Sequence, residues 1–366
     1  MINKSERKTP IFFILGRPRT GTTLLLKLFD AHPNVMIPWE SQYIVNLYPR
    51  YGKLTSWTKN DLEDFYNDLE ATWQFKFWDL DHVKLKEDLL ALEGEISYPE
   101  ICKWIHQQSR SMYPKKEIEW IGDKNPGYTI YVDRLKKIFP EAKFIFINRD
   151  YRDNFVSIRN VDFELPVVSI TTYKWKYFYK KALKAKERFP DDVLLLRYED
   201  LAAEPEKYFG NVCVFLGLDS VPEVFEFHRK KEEAEALLRT ERSKIHHASL
   251  MNPINTGRIR LWEKKMTEKE IRMADLVAGR YAEKAGYERR FQRSGLLTWL
   301  QSLPGVFYAR FIYCITPIVD KLPYKLRAQV LNKGPLVLVK LFSGFFKMRS
   351  SGHWILYSVF CILYLQ

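Results

Sequence analysis

Seven consecutive residues, Arg17-Pro18-Arg19-Thr20-Gly21-Thr22-Thr23, concentrate two guanidinium groups, three hydroxyls and a glycine. That mixture suits an anion. Backbone N–H groups from Thr20 to Thr23, set at a helix start, would cradle phosphate-like oxygens, and Arg19 would add a fixed positive charge. Gly16 and Gly21 have the glycine spacing of a phosphate-binding P-loop. Thr22, however, stands where a nucleotidase carries the lysine that reaches the terminal phosphates. The loop is therefore expected to take a phosphate-like group rather than ATP or GTP. A nucleotide kinase or other P-loop phosphotransferase is the alternative enzyme, and a ligand-free strand–turn–helix is the plainest alternative.

Such a loop needs rigid elements on either side. Ile11 to Leu15 form an apolar, β-favouring run that ends at Gly16, and Leu24-Leu25-Leu26 continue as a helix. A second run, 142–147, delivers Asn148-Arg149-Asp150 and then Ser157 at its carboxyl end, where open α/β sheets bind ligands. A third, 193–196, ends at Arg197-Tyr198-Glu199-Asp200, while the shorter Trp120-Ile121 leads into a loop carrying Lys124. Helices are expected within 59–115, where aromatic residues mostly form core beside an acceptor cleft, and over 171–189. Another runs from Thr267 through Tyr281, with a capping box at Thr267 and Glu270 and Gly286 as terminator. Strands alternating with helices predict an α/β fold: a P-loop-type central parallel sheet with helices on both faces.

The loop, with the downstream Asp30-Ala31-His32-Pro33-Asn34-Val35, resembles the phosphosulfate loop of the sulfotransferase family, in its carbohydrate- and tyrosine-sulfating and bacterial branches. The resemblance runs through residues 10–290 in scattered motifs. It implies 3'-phosphoadenosine 5'-phosphosulfate (PAPS) as cofactor, no metal, and sulfuryl transfer to an acceptor hydroxyl on a small molecule, carbohydrate or glycolipid. By the same resemblance Arg17, Arg19, Thr20, Gly21, Thr22 and Thr23 hold the phosphosulfate, Arg149 and Ser157 the 3'-phosphate, and Tyr198 the adenine. Arginine offers bidentate recognition of phosphate oxygens, and serine adds a donor. Glu40, twenty-one residues after Arg19, lies where related enzymes keep a catalytic base. Lys124 and Arg19 would stabilise transition-state charge, with Asp123 expected to hold Lys124 in position. The chain departs from the cytosolic members at Asn255-Thr256-Gly257, where those carry Arg-Lys-Gly. Gly257 stays in register with Trp262, and Arg258 or Arg260 is the candidate for the missing charge.

Composition bounds the rest. The 366 residues, 46% hydrophobic, suffice for one sizeable core and an appendage. Two regions are expected: a catalytic domain over 1–290 and a basic, aromatic-rich helical tail over 291–366. From Arg289 onward there are eleven Lys/Arg against one acidic residue, Asp320, so the tail holds most of the net +13. Basic residues interleaved with Trp and Phe fit a segment lying on a membrane surface. The apolar runs 305–319, broken by Arg310 and Pro317, and 353–365 both fall short of the roughly twenty residues that cross a bilayer. Nucleic acid is not expected as a partner, because these aromatics sit in aliphatic runs rather than in a polar groove. Four scattered cysteines and a polar N-terminus argue for a cytoplasmic protein, peripheral at the membrane face. A non-catalytic, nucleotide-binding membrane scaffold is the alternative outside enzymes.

Overall fold

The computed structural model describes residues 8–72, 74–75, 78–161, 164–230 and 253–322. The strands are β1 Ile11–Gly16, β2 Val35–Met36, β3 Ser56–Trp57, β4 Gly94–Glu95, β5 Trp120–Lys124, β6 Lys143–Asn148 and β7 Val193–Arg197. The first helices are α1 Thr22–Ala31, α2 Tyr43–Tyr51, α3 Lys59–Glu70, α4 His82–Leu90, α5 Tyr98–Gln107, α6 Val132–Ile138 and α7 Tyr151–Ile158. They are followed by α8 Val168–Arg188, α9 Tyr198–Ala203, α10 Pro205–Leu216, α11 Trp262–Lys265, α12 Glu268–Ala278, α13 Tyr281–Lys284 and α14 Leu296–Val319. The chain forms two compact units. Among the described residues, one comprises 8–15, 21–147, 185–230 and 253–256; the other comprises 16–20, 148–184 and 257–322.

The first unit is built on a five-stranded parallel sheet, ordered β2-β5-β1-β6-β7. β1 lies between β5 and β6 with every residue buried, as its unbroken run Ile11-Phe12-Phe13-Ile14-Leu15 requires of a central parallel strand. Phe13 stacks on Phe144 at 5.7 Å and tilts against Phe139 at 5.8 Å. Each such buried side chain contributes about 1.5–3 kcal/mol. Because the chain turns to opposite sides of β1, the carboxyl ends of β1 and β6 form the switch point of the sheet. The strand expected only at Trp120-Ile121 runs on through Lys124, paired in parallel with Ile11 to Ile14 of β1. Gly122 and Asp123 are weak strand formers, and the ladder with β1 overrides that preference. Within 59–115 the aromatics Phe65, Tyr66, Phe75 and Trp78 are buried, as expected of core.

The second unit packs α7, the Val168–Lys184 part of α8 and α11 to α13 around Tyr151, Trp175, Tyr179, Trp262 and Tyr287. Two expectations shift here. The helix beginning at the Thr267/Glu270 capping box ends at Ala278, where Gly279 takes φ 55°, and Tyr281 starts a separate short helix. The run 305–319 is part of one longer helix, α14, which continues through both Pro304 and Pro317. Residues 323–366 of the expected tail, including the apolar run 353–365, lie outside the described residues.

Candidate active site

In the first unit, α1 opens at Gly21. Its φ of 102° is open to glycine, and an added Cβ there would lie 2.5 Å from the ring of Tyr198. Gly21 therefore sets both the left-handed turn and the close approach of Tyr198, the first residue of α9. Thr22 and Thr23 follow as the first helical residues, and the first turn carries no acidic side chain. The positive end of the helix is thus uncompensated by its own carboxylates, the electrostatics of an anion site.

Glu40 and Lys124 belong to the same unit and meet. Lys124 Nζ donates to Glu40 Oε2 at 2.5 Å, and both side chains are buried. Glu40 Oε1 is buried with no hydrogen-bond partner. Burial raises the Glu40 carboxyl above the ordinary carboxylate range, against the opposing pull of Lys124. Lys124 is positioned by the end of β5, whereas Asp123, expected to hold Lys124, faces elsewhere. Its carboxylate meets His106 Nε2 at 3.1 Å and also accepts from Asn125 Nδ2. His106 Nδ1 lies 2.8 Å from Tyr43 Oη, and Asn125 Nδ2 donates to the Ser41 carbonyl at 3.0 Å. This buried network clamps the strand end to the segment just after Glu40. The Glu40 carboxylate and the Lys124 ammonium are thereby held at fixed separation.

In the second unit the remaining loop residues are tied down one by one. Thr20 Oγ1 donates to the Arg17 carbonyl at 2.7 Å, and Asn154 Nδ2 donates to the Pro18 carbonyl at 2.8 Å. Arg19 adopts φ 69°, a left-handed conformation costly for a residue with a Cβ. Its Nε donates to Ser157 Oγ at 3.1 Å. The buried Arg149 guanidinium reaches the Arg19 carbonyl at 3.4 Å and the Arg258 carbonyl at 2.6 Å. Arg258 thus joins the group through its backbone, while its side chain is exposed, as is Gly257. Asp153 fixes that segment by accepting from the N–H groups of Arg260 and Trp262, at 2.8 and 2.9 Å. Asp150 caps α7 and pairs with Arg152 at 2.7 Å.

Arg17, expected among the cofactor-binding residues, is committed to a protein carboxylate. Its Nη2 pairs with Glu164 Oε1, to which Lys174 Nζ approaches within 3.4 Å, and all three side chains are buried. Burial would raise the Glu164 carboxyl, but Arg17 and Lys174 outweigh it and hold the group below the ordinary range. Sequence reasoning missed Glu164, Lys174, His106 and Tyr43. Signals existed for two of them. Lys174 falls in register with the core residues Thr171, Trp175 and Phe178 of its helix, and His106 follows Cys102 by one turn on a buried face.

A model of the sulfotransferase family matches residues 10–223. The Drosophila melanogaster protein-tyrosine sulfotransferase is 26% identical over 283 residues, covering 74% of this chain and 51% of that protein. Protein-tyrosine sulfotransferase 1 of Danio rerio is 25% identical over 273 residues, 71% of this chain and 68% of that one. The chain thus spans about half the length of the Drosophila relative. Among solved structures, the sulfotransferase domain of the Synechococcus PCC 7002 olefin synthase aligns with a TM-score of 0.51 at 19% identity. That alignment covers 76% of this chain and 95% of that domain, a likeness of fold.

Proposed function

The chain belongs to the sulfotransferase family, and on that premise we propose that it moves the sulfuryl group of PAPS to an acceptor hydroxyl, with Glu40 Oε1 as the atom that takes the acceptor's proton. The observation that carries this reading is the buried Glu40 carboxylate, with Oε2 engaged by Lys124 and Oε1 left without a partner. A carboxylate whose affinity for protons is raised by burial is a better base than a solvated one. Within the first unit, a helix start without acidic side chains and a glycine cradle closed by the Tyr198 ring suit an anionic donor; within the second, Arg149 is a buried guanidinium.

PAPS, when bound, supplies a sulfuryl group activated by its attachment to a phosphate. Thr22 and Thr23 at the start of α1, together with Arg19, would hold the phosphosulfate oxygens, Arg149 and Ser157 the 3'-phosphate, and Tyr198 the adenine. Lys124 keeps Oε2 of Glu40 occupied, so the incoming hydroxyl meets Oε1. The Lys124 ammonium also offers positive charge where negative charge develops. We assign Arg17 to holding the loop.

For the acceptor we propose a phenolic hydroxyl on a tyrosine side chain. The curated relatives above are named for tyrosine sulfation, and a phenol gives up its proton to a carboxylate far more readily than an alcohol does. A carbohydrate hydroxyl on a glycolipid is the second reading, favoured by the apolar outward face of α14 described below. Calorimetry without magnesium should show adenosine 3',5'-bisphosphate bound in preference to ATP, and Arg149→Ala should abolish that binding. A labelled-sulfate assay with PAPS then compares a tyrosine peptide with a glycolipid. ATP preferred in the presence of magnesium would overturn the donor assignment. Turnover that survives Glu40→Gln would overturn the base.

A further inference from the structure

The helix α14 has two faces of unequal character. One is packed within its own unit. The Tyr313 ring stacks on Tyr177 with centroids 4.0 Å apart, and Gly305 lies so close to α8 that an added Cβ would meet Ser169 Oγ at 2.1 Å. Tyr308, Ala309 and Ile312 complete this buried face. The opposite face carries Leu296, Leu300, Leu303, Phe307, Phe311 and Ile318, all exposed, with Phe307 at 65% and Ile318 at 66%. Their spacing of three, four and seven residues aligns them in one stripe along the helix, about 33 Å long at 1.5 Å per residue.

A surface helix normally turns charged or polar residues outward. Single exposed apolar residues need no explanation, whereas a continuous stripe marks an interaction site. We propose that this face of α14 is a docking surface for an anionic membrane, with the helix lying in the plane of the interface. Charge decides the occupant. The charged side chain on the stripe is Arg310, exposed, and the helix is bracketed by exposed Arg290 and Arg293 before it and Lys321 after it. No acidic residue lies between Glu288 and Asp320. Apolar residues toward the acyl chains with basic residues at the rim is the pattern of an interfacial helix. By length and composition α14 could span a bilayer. Spanning would strip Gly305 and Tyr313 from α8, so the packed face selects the in-plane arrangement. The inference stands independently of the sulfuryl-transfer reading.

The test is flotation of the full chain with phosphatidylcholine vesicles, with and without phosphatidylglycerol. Binding should require the anionic lipid, and the triple variant Leu300→Asp, Phe307→Asp, Phe311→Asp should reduce the bound fraction by about tenfold or more. Circular dichroism and thermal unfolding report whether that variant folds. Quenching by brominated lipid, compared between the wild type and Trp299→Phe, reads the same face without disturbing the stripe. Loss of the Trp299 share of quenching is expected. Vesicle binding unchanged in a folded triple variant, or quenching unchanged in Trp299→Phe, would place the contact elsewhere and overturn the proposal. A wild type that ignores vesicles but dimerises through these residues would assign the face to a second copy, and overturn it equally.

Discussion

Glu40 and Glu164 are both buried, both glutamates and both paired with a cation, yet their environments push them in opposite directions. Glu40 has one lysine on one oxygen, an empty second oxygen and the nearby charge of Asp123, and its affinity for a proton is raised. Glu164 has Arg17 and Lys174 converging on one oxygen, and its affinity is lowered. The difference separates a carboxylate able to take part in proton transfer from one that fastens a loop. Desolvation is common to both, so the number of cations decides the sign. A buried ion pair alone is therefore no guide to a candidate site; the distinguishing feature here is a carboxylate oxygen, Glu40 Oε1, that the pair leaves unsatisfied.

The sharpest way to break this comparison is to remove each charge in turn. Glu40→Gln keeps the shape and loses the proposed base, and turnover should fall by about 10²–10⁴-fold while bisphosphate binding and the unfolding midpoint change little. Glu164→Gln should act on stability instead. Two buried cations then lose their carboxylate, at a cost of about 3–5 kcal/mol, seen as a lower denaturant midpoint. If Glu164→Gln abolished turnover at unchanged stability, the two roles would be reversed.

Acidity sharpens the contrast further. As the proposed base Glu40 must be ionised to act, and its folded-state pKa lies above the 4.5 of a free glutamate. Turnover per substrate concentration should therefore rise with pH through a step above 4.5, and residual activity of Glu40→Gln should lack that step. Glu164 has a folded-state pKa below 4.5, so its contribution to stability is complete above 4.5 and is lost as pH falls through the lower value. Acid unfolding monitored in wild type and Glu164→Gln should show a steeper loss below 4.5 in the wild type. Parallel curves would remove Glu164 from the account.

How much of this was legible in the chain depends on the range of the interactions. The loop and its flanking elements rest on local signals, and β1 ends and α1 begins where Gly16 and Thr22 imply. Tyr198 closing on Gly21 and Lys124 meeting Glu40 were reachable through family resemblance, although Lys124 was placed in a loop because its strand depends on pairing with β1. The commitment of Arg17 was not legible. Its partner Glu164 lies far along the chain, and nothing local distinguishes a guanidinium that binds ligand from one that binds protein. The continuity of α14 through two prolines was likewise hidden, because packing on α8 outweighs the local cost of proline. The exposed stripe on α14 follows from which face that packing uses.

The smallest effect concerns Ser157, which differs from Glu40 in acting on a cation that the backbone already strains. Arg19 sits at φ 69°, at a cost of about 1–2 kcal/mol for a residue with a Cβ. Its hydrogen bond to Ser157 Oγ is one of the contacts that offset that cost. Ser157→Ala removes one hydrogen bond worth about 0.5–1.5 kcal/mol, so bisphosphate affinity should weaken by roughly threefold to tenfold. Turnover at saturating donor should stay near wild type, because Glu40 and Lys124 belong to the other unit and keep their contact. The opposite outcome, unchanged affinity with reduced turnover, would move Ser157 from the proposed donor contact to the transfer step.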